Sequence, residues 1–299
     1  MSVKIYGFYG SLYTQIVYLA LAEKGVEFER HQVKIGPLME NYEPWYARIN
    51  PRMVIPTLEQ DGAYVCETTA IIRYIDANFE GPPLLPADPS TREQALALVD
   101  RISALPLREL SYSRMGGILA VVRDRVLMPK RLRALRKNKK KAPELAALYD
   151  VRITDVQAWV STMAKPAELE AASTVLGELL TELETRLKTA DFIVGDSYSL
   201  VDVMATVLCA RMLALNIAPL SEYPSLAAHY ARMKARPRFP KEDIVERIET
   251  GKIVRIIAPF LLPRLLALLV VLTLLAMLLA MLTGSWNGFE FLRDPPPAT

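Results

Sequence analysis

Two periodicities alternate over the first eighty residues, and only one of them continues afterwards. Residues 3–7 form a short β-rich run. Residues 14–24 follow a helical pattern that Gly25 stops, and residues 27–34 read as extended again. Residues 55–59 and 63–66 alternate as two strands around Gln60-Asp61-Gly62, whose Asp-Gly pair tolerates the positive φ of a tight hairpin turn. Residues 67–79 then return to the helical period, with Ile71, Ile72, Ile75 and Phe79 on one face.

That order is βαβ followed by ββα, which predicts a thioredoxin-like α/β domain over residues 1–80. Residues 80–90 carry four prolines in eleven positions, so residues 81–90 read as a linker. From 91 to 250 the period stays near 3.6 and predicts an all-helical domain. One boundary inside it is sharp: Ser199 with Asp202 three residues on has the form of a capping box, and Tyr198 and Val203 are spaced for a hydrophobic staple. From 200 to 215 only Asp202, Thr206 and Arg211 are plainly polar, which predicts the buried centre of this domain. Residues 130–141, KRLRALRKNKKK, hold eight basic side chains in twelve and read as a basic inserted loop.

Beyond residue 250 the pattern changes once more. Residues 265–283 contain no charge, and as a helix they reach about 28 Å, close to the hydrocarbon thickness of about 30 Å. They predict one C-terminal transmembrane helix. Residues 256–264 form an interfacial segment before it, because Pro259, Pro263 and Arg264 interrupt the apolar run, and an Arg at mid-bilayer costs about 3 kcal/mol. Arg255 and Arg264 suit one membrane interface, and Trp286, Phe289 and Phe291 in the tail 284–299 suit the other. Basic residues concentrate on the N-terminal side of the span, which predicts a cytoplasmic head. The first fifteen residues have no basic-then-apolar leader pattern.

Net charge is +3 with 23% charged residues, a balance that gives no general argument for nucleic acid. Cys66 and Cys209 lie in apolar stretches as buried, reduced thiols, and no Cys-x-x-Cys pair is present for dithiol exchange. His31 and His229 have no ligand spacing around them, so no metal site is expected.

Two motifs remain in the first domain: Asn50-Pro51-Arg52-Met53-Val54-Ile55-Pro56-Thr57-Leu58, and Glu67-Thr68-Thr69-Ala70-Ile71. With the capping box they resemble the cytosolic glutathione transferase superfamily over roughly residues 3 to 240. The expected fold class is therefore a thioredoxin-like N-terminal domain, an all-α C-terminal domain and one transmembrane helix. Asn41-Tyr42-Glu43-Pro44-Trp45-Tyr46-Ala47-Arg48-Ile49-Asn50, the Val65-Cys66-Glu67 strand end, the basic insertion and the apolar tail resemble more narrowly the tail-anchored branch typified by ganglioside-induced differentiation-associated protein 1.

The resemblance implies a glutathione site. Pro56 would be a cis-proline that turns Ile55 outward, so that its N–H and C=O pair with a peptide-like ligand. Thr68 opens a helix whose free N–H groups and dipole favour a carboxylate, while Glu67 can accept from an ammonium, and a γ-glutamyl group carries both charges. Ser11 corresponds to the hydroxyl that stabilises the glutathione thiolate in serine-type enzymes, with Tyr9 and Tyr13 as rivals; as a residue it is equally an N-cap. Met53 and Val54 depart from the family pattern, where a glycine and a polar side chain stand. Val54 offers nothing to the glycyl carboxylate.

The implied function is a membrane-anchored glutathione S-transferase-like enzyme acting on electrophilic, lipid-derived substrates; the alternative is a non-catalytic module of the same fold at a membrane. The expected partners are glutathione as co-substrate, a hydrophobic electrophile, anionic membrane lipid against residues 130–141, and a second copy in a homodimer, with no nucleic acid.

Overall fold

A computed structural model of the protein describes residues 2–36, 38–112, 117–163, 165–241, 243–247, 266 and 269–282, in two units, 1–248 and 249–299. The first unit opens with β1 (Val3–Gly7), α1 (Leu12–Lys24), β2 (Glu29–Gln32) and α2 (Pro44–Ile49). β3 (Thr57–Gln60), β4 (Ala63–Cys66) and α3 (Thr68–Asn78) follow. The four strands form one sheet in the order β2-β1-β3-β4, with β1 and β2 parallel and the other pairs antiparallel. Along β1 the side chains alternate, so Val3 and Ile5 are buried while Lys4 and Tyr6 face the other side. Gly25 ends α1 at φ 73°, and Asp61 (φ 50°) and Gly62 (φ 86°) make the hairpin turn. α1 is buried nearly all round, as its unbroken apolar run from Ile16 to Leu21 requires, because it packs between α3 and the central helix of the second domain.

The helical part contains α4 (Pro89–Ser103), α5 (Leu107–Tyr112), α6 (Gly117–Val122), α7 (Met128–Lys141), α8 (Ala146–Thr162) and α9 (Pro166–Leu187). α10 (Leu200–Leu215) and α11 (Pro224–Lys234) close it. α10 is its core. Asp202 on α10, fully buried, accepts from the Ser199 N–H and hydroxyl, each at 2.8 Å, and from the Ile193 N–H at 3.1 Å. His229 Nε2 of α11 lies 2.8 Å from the same carboxylate. One acid therefore caps its own helix and ties a loop and a second helix to it.

Two expectations are corrected. Residues 130–141 are not a loop but most of α7, joined by a short turn to the antiparallel α8. The reason is a seam spaced 3-4-3, Met128, Arg131, Leu135 and Asn138, which meets an equal seam of Tyr149, Arg152, Val156 and Trp159. The second correction concerns the membrane. No helix among the described residues is long and apolar enough to cross one. Where the span was expected, residues 266 and 269–282 are helical, and residues 265, 267, 268 and 283 lie outside the described residues. The transmembrane helix, the membrane-anchored function and the single-pass localisation with a cytoplasmic head fall together. Residues 256–264 and 284–299 lie outside the described residues.

Asp202→Ala should destabilise the protein by about 3 to 5 kcal/mol, since it strands two buried N–H groups and a buried imidazole together. Ser199→Ala removes only the cap hydroxyl and should cost about 1 kcal/mol. Urea denaturation of the two variants checks both the order and the gap.

Candidate functional site

The sheet register decides which segments meet. Tyr6 of β1 pairs with Thr57 of β3, and Thr57 pairs with Cys66 of β4. The chain leaves β1 beyond Tyr6 into residues 8–11, enters β3 through Ile55-Pro56, and leaves β4 into Glu67-Thr68. Ser11, Ile55, Pro56, Glu67 and Thr68 all therefore come from segments that flank one end of the sheet.

The Ile55-Pro56 bond is cis, as expected. The turn before it is clamped by side chains. Asn50 Nδ2 donates to the Val54 carbonyl at 2.8 Å and to Thr57 Oγ1 at 2.9 Å, and the Tyr46 hydroxyl donates to the same carbonyl at 2.7 Å. Burial pushes the Tyr46 phenol well up, so it stays a donor. The Ile55 N–H and C=O have no partner among the described residues, and Ile55 is half-buried. An edge with both groups free can pair with an extended peptide.

Glu67 sits at φ 68°, ψ 127°, a conformation that costs a non-glycine residue about 1 to 3 kcal/mol. It delivers the chain into α3, where the first backbone bond runs from the Ile71 N–H to the Glu67 carbonyl at 2.8 Å. The N–H groups before that are free for a ligand. The Glu67 carboxylate is split in use: Oε2 lies 2.8 Å from Arg52 Nη1, while Oε1 is buried with no partner among the described residues. A buried carboxylate oxygen without a donor leaves a place for an ammonium or amide N–H. Thr68 is the first residue of α3 and is buried.

Ser11 is the N-cap of α1, its Oγ accepting from the Thr14 N–H at 3.4 Å. The cap role leaves the hydroxyl proton available, because an oxygen that accepts from the backbone still has a proton to donate. The loop carrying it is held from several sides. Gln15 Nε2 donates to the Tyr9 carbonyl at 2.7 Å, Arg211 Nη2 to the Gly10 carbonyl at 2.7 Å, and the Phe8 N–H to Thr14 Oγ1 at 3.3 Å. A Cβ on Gly7 would lie 2.5 Å from Thr14 Cγ2, which explains the glycine at the strand end. Tyr13, one rival to Ser11, is pushed up by burial and so is suited to donate rather than to ionise.

The departures from the family pattern have a structural account. Met53 takes φ 53°, the left-handed conformation that a glycine accepts without cost, yet its side chain is fully buried among Tyr42, Leu135, Tyr149 and Val156. Its carbonyl accepts from Asn41 Nδ2 at 2.8 Å. The loop is thus anchored into the α7–α8 hairpin. Sequence reasoning missed Arg52, whose guanidinium holds Glu67; an Arg in an otherwise apolar loop, fifteen residues before an acid at a helix start, was the available signal. Cys66 is half-buried, its thiol pushed up by burial, and Cys209 is buried and pushed up to about 12 by burial.

Comparison with known proteins agrees with this geometry. The glutathione S-transferase N-terminal domain family matches residues 5–83 and the glutathione S-transferase C-terminal domain family matches residues 148–237. A tetrachloro-p-hydroquinone reductive dehalogenase from Sphingobium chlorophenolicum is 34% identical across 83% of this chain and 98% of its own length. A glutathione S-transferase of Arabidopsis thaliana is 24% identical across 77% of this chain and 85% of its own. The chain belongs to the glutathione S-transferase superfamily. Among solved structures, the β-etherase LigF of Sphingobium sp. strain SYK-6 superposes with a TM-score of 0.64 at 25% identity, covering 81% of this chain and 98% of that one. A theta-class transferase of Xanthomonas axonopodis pv. citri, solved with glutathione bound, shares the fold with a TM-score of 0.58 at 22% identity over 81% of this chain and 97% of its own. These relatives are enzymes by name, in line with the expectation of an enzyme here. The narrower likeness to the tail-anchored branch, read from residues 41–50, the Val65-Cys66-Glu67 strand end, the basic insertion and the apolar tail, is not shown by these relatives, and its tail has no described spanning helix.

Met53→Ala should cost about 2 to 5 kcal/mol, the usual range for emptying a buried methionine position. Met53→Gly should be less harmful than Met53→Ala by about 1 kcal/mol despite losing one more carbon, because glycine relieves the positive φ. Denaturation midpoints of the two variants give the sign.

Proposed function

We propose that this protein is a glutathione-dependent transferase that joins the thiol of glutathione to a hydrophobic electrophile. The observation that carries the reading is the partnerless Glu67 Oε1 beside the free N-terminus of α3, at the same sheet end as the unpaired Ile55 backbone. On this reading Glu67 takes the α-ammonium of the γ-glutamyl group. Thr68 and the first N–H groups of α3 take its α-carboxylate. The Ile55 N–H and C=O pair with the cysteinyl backbone, and Pro56 shapes that turn. Arg52 stays on Glu67 Oε2 and holds that carboxylate for the ammonium, while Val54 offers nothing to the glycyl carboxylate.

Ser11 then faces the sulfur. Its hydroxyl donates to the thiolate, which lowers the thiol pKa and keeps the nucleophile ionised near neutral pH. The thiolate forms the C–S bond, and the leaving group departs with the electrons of the bond it breaks.

The full-length protein should be retained on immobilised glutathione and should turn over 1-chloro-2,4-dinitrobenzene. Ser11→Ala should lower kcat by about a hundredfold with little change in glutathione affinity, since the hydroxyl acts on the nucleophile. Thr68→Ala should instead weaken glutathione binding by about tenfold at nearly constant kcat. A protein that binds no glutathione at millimolar concentration would be a non-catalytic module of this fold.

A further inference from the structure

The α7–α8 seam breaks the rule that built it. Of its eight positions, six hold side chains that pack or hydrogen-bond into the hairpin: Met128, Leu135, Asn138, Tyr149, Val156 and Trp159. The other two are arginines, Arg131 and Arg152, where an apolar residue would serve the fold better. Arg131 is half-buried and the Arg152 side chain is only 13% exposed. Their partners among the described residues are phenols rather than close carboxylates: burial pushes Tyr42 up but the two guanidiniums pull it below its ordinary value, and burial pulls Arg131 down but Tyr42 and Tyr112 raise it above its own. Arg131 Nη1 donates to the Tyr42 hydroxyl at 3.0 Å, and the carboxylate nearest Arg152 is the exposed Asp155 at 3.9 Å.

A third cation joins them. Arg108 of α5 lies 5.4 Å from the centre of the Trp159 ring and Arg131 lies 5.8 Å from it, so both flank one indole. Burial holds Arg152 below its ordinary value, Tyr42 offsets this in part, and the Arg108 and Arg131 charges add to the depression. On the seam itself the buried polar atoms without a partner are the donors Arg131 Nε, Arg152 Nε and Trp159 Nε1; beside the Ser11 loop stand the donor Arg211 Nε and the acceptor Gln15 Oε1, and Asn41 Oδ1 is an open acceptor next to Tyr42. Tyr112, within electrostatic reach of both Arg131 and Arg211, connects the two ends of the group. Donors without acceptors in a cationic setting call for an oxyanion.

We infer that the electrophile's binding site is an oxyanion site, in which Arg131, Arg152 and the Trp159 N–H, with Arg108 on the open side, hold a carboxylate or phenolate oxygen of the acceptor substrate. This rests on the glutathione reading above for the identity of the second substrate, though not for the anion site itself. The site turns the electrophile's charged end toward α7 and α8 and leaves its reactive carbon for the thiolate near Ser11. Neutral electrophiles of the same shape lose the contact that orients them.

The probes are 4-chloro-3-nitrobenzoate and its neutral amide, which share ring and leaving group. With glutathione the thiolate forms a C–S bond at the chlorine-bearing carbon and chloride leaves with the C–Cl electron pair, so no oxidant or reductant is needed. Binding of each probe to the full-length protein is measured by calorimetry with and without S-methylglutathione, which cannot react, and kcat/KM is then measured with glutathione. The expected result is a preference for the carboxylate of at least about tenfold in both. In Arg131→Met and Arg152→Met that gap should close and Arg131→Lys should keep part of it, with thermal melts checking that each variant stays folded, since Arg131→Met also removes a donor to the buried Tyr42 hydroxyl. Arg108→Gln, at an exposed position, narrows the gap without risk to the core. Equal binding of the two probes by the parent, or an equal loss of both in the Met variants, overturns the inference. Failure of S-methylglutathione to bind while the carboxylate preference persists overturns the glutathione reading instead and leaves the oxyanion site standing.

Discussion

Everything at the candidate site depends on one row of the sheet. Tyr6, Thr57 and Cys66 stand side by side across β1, β3 and β4, and that row sets where three loops begin or end. A slip of one residue in either pairing would turn the side chains of a whole strand to the wrong face and pull one loop away from the other two. The hairpin turn at Asp61 and Gly62 excludes such a slip between β3 and β4, since its two positive-φ residues fix the loop length. Between β1 and β3 the buried pair Ile5 and Leu58 does the same by hydrophobicity. Precision at the site is thus inherited from ordinary core packing several residues away.

The helical domain contributes in a different way. It reaches the first domain at two places that matter. Arg211 holds the Gly10 carbonyl, and the α7–α8 hairpin receives Met53 and the Tyr42 carbonyl, which accepts from Asn138 Nδ2 at 2.9 Å and from the Tyr149 hydroxyl at 2.8 Å. Strain is concentrated on the same side. Glu67 and Met53 both sit at positive φ without being glycine, and each is held there by what its side chain reaches, a guanidinium in one case and a hydrophobic bed in the other.

Local signals carried much of this architecture. The Gly25 stop, the Asp-Gly turn and the capping box each have a short-range cause, so residues 3–7, 63–66 and 200–215 were legible as elements before any packing was known, whereas the cis-proline followed only from the family resemblance. Residues 130–141 were not, because charge density masks a stripe of only four seam positions, and the stripe becomes informative only once α8 is laid against it. The apolar run near 265–283 misled in the opposite sense: hydropathy alone predicted a span, and no helix among the described residues is long and apolar enough to cross a membrane. Within the site, the positions of Ile55, Glu67 and Thr68 followed from motif and order. The Arg52–Glu67 pair and the open Oε1 did not, since both depend on how a loop and a helix start are oriented in space.

The doubly used Tyr42 carbonyl has a consequence for how this chain can be recombined with its relatives. A backbone oxygen that accepts from Asn138 and Tyr149 at once, next to a methionine seated between the same two helices, makes the segment 39–53 and the hairpin a single exchangeable module split across two domains. A chimera cut at the linker would separate the halves. The incoming helices would meet a Met53 with no bed and a carbonyl with no donors, even if both parents were stable. Grafts that carry residues 39–53 together with α7 and α8 keep the module whole, and the natural seam for domain exchange in this protein therefore does not run through its proline-rich linker.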